Sequence, residues 1–378
     1  MRKRKLPSAV LGPSKLASWA QPTLAQAMRL AEPPPPLVTL PRQPQRKARP
    51  PGRRSAMCKS DSEDSDDGDD GGALVVDLFS GIGGWSEGSR QAGHRVVLAV
   101  DYCEPLLRIH AKNHPKCQHV RMELGPDTEE QLVAQIRKCV PAGRKWHLHA
   151  SPPCTAISLM RNGTRSRDVH EGVCLVLWYL SLVLRLEPTT WSMEEVGTAM
   201  LDGALGMARH LHPKVVAFAS DVPFDRYGVP QTRKRTLAGT PALIRRFETD
   251  PSLREDAPVL SAVLEPPEGA TIVKAAAGKC VDPERTVVHE DGSVTNDTNT
   301  RCMKSVDELC YTCLAGNPHY WCRPDFTTIR RFNMREQATL QCFPPEYKLG
   351  AIGESITGAG NAVPCLIARK FMAGIGSD

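Results

Sequence analysis

Ala73-Leu-Val-Val-Asp-Leu-Phe-Ser-Gly-Ile-Gly-Gly-Trp-Ser86 is the stretch on which the fold turns. An apolar, β-branched run stops at clustered glycines, the pattern of a buried strand that ends in a tight loop and re-enters as a helix. The helix is expected over Trp85–Ala92. Val96–Val100 then reads as a second strand closed by Asp101, and Pro105–Asn113 as a second helix. Trp146–Ala150 reads as a strand running into Pro152-Pro153, Val169–Leu186 as a helix, and Thr189–Met193 and Val215–Ala219 as strands. Strands alternating with helices predict an α/β fold, a mostly parallel sheet with helices on both faces. Such sheets bind ligands beyond the carboxyl ends of their strands, so the strand-end loops are where function is expected.

Charge divides the chain. Residues 1–58 carry 12 Lys/Arg against the single acid Glu32, residues 59–72 carry seven acids against Lys59, and the remainder is nearly balanced at +1. Residues 1–72, with the tract Pro33–Pro36, hold too little apolar surface to repay ordering and are expected to form a disordered basic-then-acidic tail. The clusters Arg2–Lys5 and Arg42–Arg54 suit a polyanion or a nuclear-import receptor. An acid-poor, Arg-containing N-terminus also matches a transit peptide, so the nucleus is the expected location and a plastid or mitochondrion the alternative. No stretch approaches the roughly 18 uninterrupted apolar residues of a membrane span, and no secretory signal follows Met1–Arg4. The 13 cysteines are odd in number and unpatterned, which speaks for a reducing compartment. Cys302, Cys310, Cys313 and Cys322 include a CxxC that suits either zinc or a plain strand; no metal is expected.

The loops bear the candidate chemistry. In Asp77-Leu-Phe-Ser-Gly81-Ile-Gly83-Gly84-Trp85-Ser86 the dinucleotide fingerprint fails at Ser86. With Asp101 about twenty residues on, the loop favours a nucleoside ligand without a pyrophosphate. Ser151-Pro-Pro-Cys154-Thr155 presents a thiol behind two prolines that fix φ, either a structural cysteine or a nucleophile. Glu194 and Glu195 stand at another strand end. Arg233 and Arg235 alternate on an extended segment and so point to one side. In Gly358-Ala-Gly-Asn361-Ala-Val-Pro364, Asn361 is expected to cap the helix Cys365–Met372.

In this order the loops resemble the DNA cytosine-5 methyltransferases over about residues 73–378. Asp77–Gly84 looks like that family's cofactor loop, Pro153-Cys154 its nucleophile motif, Glu194-Glu195-Val196 its Glu-Asn-Val, and Gln231-Thr-Arg233-Lys-Arg235 its paired arginines. Arg335–Pro344 is similar to the segment framing the recognition region, and Gly360–Pro364 to the final motif that folds back beside the first. The resemblance implies a Rossmann-like fold that uses S-adenosylmethionine to methylate a flipped-out cytosine in double-stranded DNA. It implies Cys154 as the nucleophile at C6, Glu194 as the acid at N3, Arg235 at O2, and Arg233 holding the loop or a phosphate. It further implies Phe79 near the adenine, Gly81 and Gly83 admitting the methionine end, Asp101 on the ribose and Glu123 at the adenine edge. Ser80, Tyr102, Asn361 and Val363 complete the cofactor set. The catalytic domain is expected over 73–241 and 326–378, with a target-recognition region over 242–325.

This chain departs from the family at Glu195, where Asn is usual, and at Ser151 and Thr155, which marks a divergent branch. Glu195 would raise the pKa of its neighbour by like-charge repulsion or disturb the loop. Two other readings stand beside DNA methylation: an RNA methyltransferase of the tRNA type, and an inactive DNA-binding regulatory relative. The Cys-Phe-Thr motif of the tRNA branch is not found. Retention of Cys154, Glu194, Arg233 and Arg235 speaks against an inactive protein.

Overall fold

Leu74–Leu78 (β1) is buried along its whole length, as a run that is apolar but for Asp77 requires of a central strand. The structure, a computed structural model, describes residues 72–153, 166–274, 286–288, 294–296, 303–316, 319–325 and 327–376. β1 leads through its glycine loop into α1 (Gly84–Gln91), then β2 (Arg95–Asp101), α2 (Glu104–Asn113), β3 (Gln118–Arg121), α3 (Glu129–Cys139) and β4 (Trp146–Ala150). Next come α4 (Ser166–Leu186), β5 (Thr190–Glu195), α5 (Ala199–Leu211), β6 (Ala217–Pro223), β7 (Lys234–Gly239) and α6 (Pro241–Thr249). The seven strands stand in the order β3-β2-β1-β4-β5-β7-β6. The pairings from β3 to β5 are parallel, whereas β7 runs antiparallel to both β5 and β6. The expected α/β fold is therefore present, with one reversed strand.

Alternation along the strands builds two cores. Val76, Leu78, Leu98, Val100 and Leu148 face Leu132 and Ile136 of α3 and Val176, Tyr179 and Val183 of α4. Val75, Val96 and Ala99 face Trp85 of α1, Phe247 of α6, and Ile367, Ala368 and Phe371. The last three belong to a C-terminal helix that packs on α1. Contact is close because α1 presents glycines: a Cβ on Gly88 would lie 2.4 Å from both the Ala368 Cβ and the Cys365 carbonyl oxygen. Gly88→Ala is therefore expected to destabilise. The roughly 1 kcal/mol helix-propensity gain is outweighed by about 1–3 kcal/mol of overpacking against backbone. Gly203→Ala in α5, where a Cβ meets nothing within 4 Å, is expected to stabilise by about 0.4–1 kcal/mol. Denaturant midpoints moving in opposite directions would check the pair.

Beyond the main sheet lie α7 (Leu260–Val263), β8 (Ile272–Lys274), β9 (Thr286–Val288), β10 (Val294–Asn296), β11 (Met303–Ser305), β12 (Tyr320–Cys322) and β13 (Thr328–Arg331). The strands β11-β8-β12-β13 form an antiparallel sheet over a small core containing Leu260, Val273, Cys310, Cys313, Trp321 and Phe332. Packing moves both expected boundaries. Leu243, Ile244, Phe247 and Leu253 belong to the main core, so the second region begins after residue 253 rather than at 242. Phe332 stacks on Trp321 at 4.4 Å, so the second region runs past 325 to the start of α8 (Met334–Leu340). The chain closes with α9 (Ile352–Asn361) and α10 (Cys365–Met372).

Candidate active site

A cavity of about 210 Å³ opens at the carboxyl ends of β1, β2, β4 and β5, where a parallel sheet is expected to bind. Its wall runs from Phe79, Ser80 and Gly81 through Asp101 and Tyr102. It continues across Ser151, Pro152 and Pro153 to Glu194, Glu195, Arg233 and Arg235, and closes over Asn361 and Val363.

The first half of the cavity is shaped by backbone. Phe79 (φ 58°) and Gly81 (φ 53°) both adopt the left-handed conformation, which for Phe79 is a strained placement that turns the chain away from the strand. Asp101 fastens this turn: its Oδ2 accepts the Gly81 N–H at 2.8 Å and its Oδ1 the Cys103 N–H at 2.7 Å. Burial raises the Asp101 carboxyl above its ordinary range, and these two bonds oppose the shift. Asp77 sits deeper. Burial pushes its carboxyl up to about 7, against the hydrogen bonds from Ser86. Ser86 Oγ donates to Asp77 Oδ2 at 2.6 Å, and His110 joins Ser86 Oγ to His119 at 2.9 Å on each side. Burial holds His110 neutral. The consistent donors are then His119 Nε2–H to His110 Nδ1, His110 Nε2–H to Ser86, and Ser86 O–H to Asp77.

The residues present fit S-adenosylmethionine. Asp77 Oδ1 and Ser80 Oγ belong to wall residues, are buried, and have no hydrogen-bond partner among the described residues. They suit a ligand that carries its own polar groups. Phe79, Leu106 and Val363 add apolar wall for a base, and a Cβ on Gly81 would meet nothing within 4 Å, leaving open space.

The second half is charged. Glu194 Oε1 lies 3.1 Å from Arg235 Nε and 3.6 Å from Arg233 Nη2, so the two arginines do share one side. Arg233 is buried and also donates to the Cys313 and Gly360 carbonyls at 3.4 and 3.3 Å. Gln231 fastens this segment to the smaller region: its Oε1 accepts the Cys313 N–H at 2.9 Å, and its Nε2 donates to the Leu340 carbonyl at 2.7 Å. Behind the wall, Ser192 Oγ contacts both His147 and His149 at 2.8 Å. Trp85 stacks on His149 with centroids 3.6 Å apart. Burial pushes His147 down to about 3, so the sheet carries no cation there.

Three expected placements change. Glu123 is exposed beyond the edge strand β3 and does not line the cavity. Gly83 faces away from it: a Cβ there would lie 2.8 Å from Tyr347 Oη and 2.9 Å from His110, so this glycine serves helix packing. Gly84 takes its place in the wall. Asn361 ends α9 rather than capping α10, whose N-cap is Pro364 without a side-chain bond. The like-charge effect expected for the paired acids falls on Glu195 itself, where burial and then Glu194 push the carboxyl up to about 8. Cys154 and Cys302 lie outside the described residues. Among those described, no group of three or more His, Cys, Asp or Glu could hold a metal. The sequence alone assigns no role to Asp77, Leu106 or Thr357, all of which line the wall. Asp77 is the last residue but one of β1, beside the glycine loop, a signal available in advance; Leu106 and Thr357 give none.

The sequence profile of the C-5 cytosine-specific DNA methylases matches residues 74–205. Type II methyltransferase M.HgiGI of Herpetosiphon aurantiacus is 31% identical over 128 residues, covering 34% of this chain and 93% of that protein. Type II methyltransferase M.MthTI of Methanothermobacter thermautotrophicus is 24% identical over 338 residues, 80% of this chain and 97% of the relative. Among solved structures, the S. pombe Dnmt2 methyltransferase shares the fold with a TM-score of 0.51 at 14% identity, over 79% of this chain and 96% of its own. A prophage-encoded E. coli protein does so with a TM-score of 0.55 at 19% identity, over 80% and 98%.

Proposed function

This chain belongs to the C-5 cytosine-specific DNA methylase family, and from that membership we propose that its cavity methylates C5 of a cytosine flipped out of double-stranded DNA, through a covalent bond from Cys154 to C6. One observation carries this reading. A single wall joins Phe79 and Asp101 to Glu194, Arg233 and Arg235 across Ser151-Pro152-Pro153, the segment that leads directly into Cys154.

Phe79, Ser80, Gly81, Asp101, Tyr102, Asn361 and Val363 would hold S-adenosylmethionine, whose sulfonium supplies an electrophilic methyl group. Cytosine C5 is too weak a nucleophile to accept it unaided. Addition of the Cys154 thiolate to C6 moves electron density to C5 and negative charge to N3 and O2. Glu194 answers at N3, and Arg235 answers at O2 as a positively charged donor. Arg233, held by two carbonyls and Glu194, fixes the geometry of this pair. Once C5 carries the methyl group, a base relayed through water takes the C5 proton, the C5–C6 double bond re-forms, the C6–S bond breaks to free Cys154 as the thiolate, and N3 returns its proton to Glu194. Bisulfite sequencing of duplex DNA incubated with the protein and S-adenosylmethionine tests the reading: protected cytosines are expected, and uniform conversion would sink it.

The basic tail supports two further parts of the proposal, binding to DNA phosphates and delivery to the nucleus through an import receptor. Deleting residues 1–72 is expected to leave methyl transfer intact, because every motif lies beyond Ala73. DNA affinity should fall and its salt dependence flatten, by about 0.9 in log–log slope for each phosphate the tail no longer neutralises. An unchanged slope would leave the tail only an address, and a tail-fused reporter found in a plastid or mitochondrion would rule out the nuclear one.

A further inference from the structure

Glu194 and Glu195 are consecutive residues at the end of β5, and both are buried, 4% and 1% exposed. They do not share the cations beside them. Arg233 and Arg235 both lie against Oε1 of Glu194. The Glu195 carboxyl accepts only the N–H of Val196, at Oε2 and 2.8 Å, and its Oε1 has no hydrogen-bond partner among the described residues. Across the ladder Glu195 faces Thr236 of β7, whose Oγ1 is likewise buried without a partner. The acid of β6 nearest this end, Asp221, points at Gly197 and brings a negative charge. From β4, Ala150 pairs with the preceding Met193 and brings none.

We propose that Glu195 is a positioning residue that remains a neutral carboxylic acid, leaving both arginines committed to Glu194, and that its ionisation in alkaline solution withdraws them and slows methyl transfer. The proposal rests on the methyl-transfer reading above. Two adjacent desolvated carboxylates would leave one without a counter-ion, and a buried unpaired charge costs far more than retention of a proton. Burial first, and then the charge of Glu194, push the Glu195 carboxyl up to about 8, while Arg235 and Arg233 pull the other way. Ionised, Glu195 would compete for those guanidinium groups. It would also set an anion beside the ring that itself becomes anionic during Cys154 addition, opposing the charge stabilisation the arginines supply.

Two measurements on the full chain and on Glu195→Gln test this. The first is thermal unfolding from pH 5 to pH 9. An acid whose folded pKa is raised stabilises fully below its unfolded value, about 4.3, and loses that contribution as pH rises through the folded value near 8. The Tm of Glu195→Gln, which cannot ionise, is expected to gain steadily on the wild type between pH 5 and pH 8 and to run parallel above. Parallel curves throughout would mean that Glu195 is already ionised in the native protein, and would overturn the proposal. The second is single-turnover methylation of duplex DNA at pH 7 and pH 9. A group titrating near 8 predicts that the wild type loses about tenfold relative to Glu195→Gln over this interval. Taking the ratio cancels the rise contributed by the Cys154 thiolate. An equal pH response in both chains overturns the positioning role. Absence of methylation in both at every pH would instead remove the methyl-transfer reading, and the proposal with it; failure of the proposal alone leaves methylation intact.

Discussion

Cys154→Ala is expected to abolish methylation altogether while leaving the cofactor half of the cavity able to bind. Without addition to C6, C5 stays unreactive, and the wall's Cys103 follows Asp101 at the cofactor half, its backbone N–H held by that carboxylate. Pro152 is buried, and the Ser151 N–H donates to the Leu78 carbonyl at 3.3 Å. The segment entering Cys154 is thus anchored to β1 by groups that the substitution does not touch. The wild type should form a denaturation-resistant adduct with DNA containing 5-fluorocytosine, because fluorine at C5 cannot leave as a proton does. Binding of S-adenosylhomocysteine by calorimetry should be unchanged in the variant. An adduct that persists in Cys154→Ala would end the assignment of the nucleophile.

Residues whose role is written in local order are legible in the sequence. Ala73–Phe79 is apolar but for Asp77, a run that suits a central strand, and its strand Leu74–Leu78 is buried throughout. The glycines after it predict a loop, and Gly81 indeed takes a positive φ. Asp101, about twenty residues on, arrives at the same loop and binds its N–H. Strand alternation turns Arg233 and Arg235 the same way, and both meet Glu194.

What escapes the sequence depends on partners far along the chain. The reversal of β7 is one case. Nothing local in Arg-Thr-Leu-Ala-Gly distinguishes a parallel from an antiparallel insertion between β5 and β6. The closing helices are another. Met334–Leu340 carries a capping box in which Asn333 and Glu336 bond reciprocally, a legible start signal. Ile352–Asn361 is rich in glycine, and its shape follows from packing. A Cβ on Gly358 would lie 2.3 Å from Ile82, and one on Gly360 would lie 2.3 Å from the backbone at Leu314 and Ala315. That packing draws Asn361 into the end of α9 and removes it from the capping position. Gly83 reads as a cofactor glycine, but its conformation serves Tyr347, whose hydroxyl donates to the Ile82 carbonyl. Glu123 departs from its expected place because a single sequence does not reveal that β3, which precedes it, is an edge strand.

Glu194→Gln is expected to cut turnover by on the order of 10²–10⁴, the range for losing a general acid or base. Cofactor affinity should be nearly unchanged, because Phe79, Gly81 and Asp101 lie on the other half of the wall. Gln keeps the shape and can accept one hydrogen bond. It cannot neutralise the two guanidinium groups that meet at one oxygen in the resting site, and it cannot take up a proton and pass it to N3. Because Arg233 is 1% exposed, removal of its carboxylate partner should also destabilise the fold, by up to about 3–5 kcal/mol where a buried pair is broken outright. The remaining carbonyl contacts of Arg233 reduce that figure. A loss of turnover measured well below the new melting temperature, with S-adenosylhomocysteine binding retained, separates the chemical effect from the structural one. Glu195→Gln supplies the contrast: it removes a carboxyl that holds neither arginine and should keep turnover near neutral pH. If that variant is the inactive one and Glu194→Gln stays active, the two carboxyls exchange roles, and Arg233 and Arg235 are bound in this structure to the wrong acid for catalysis.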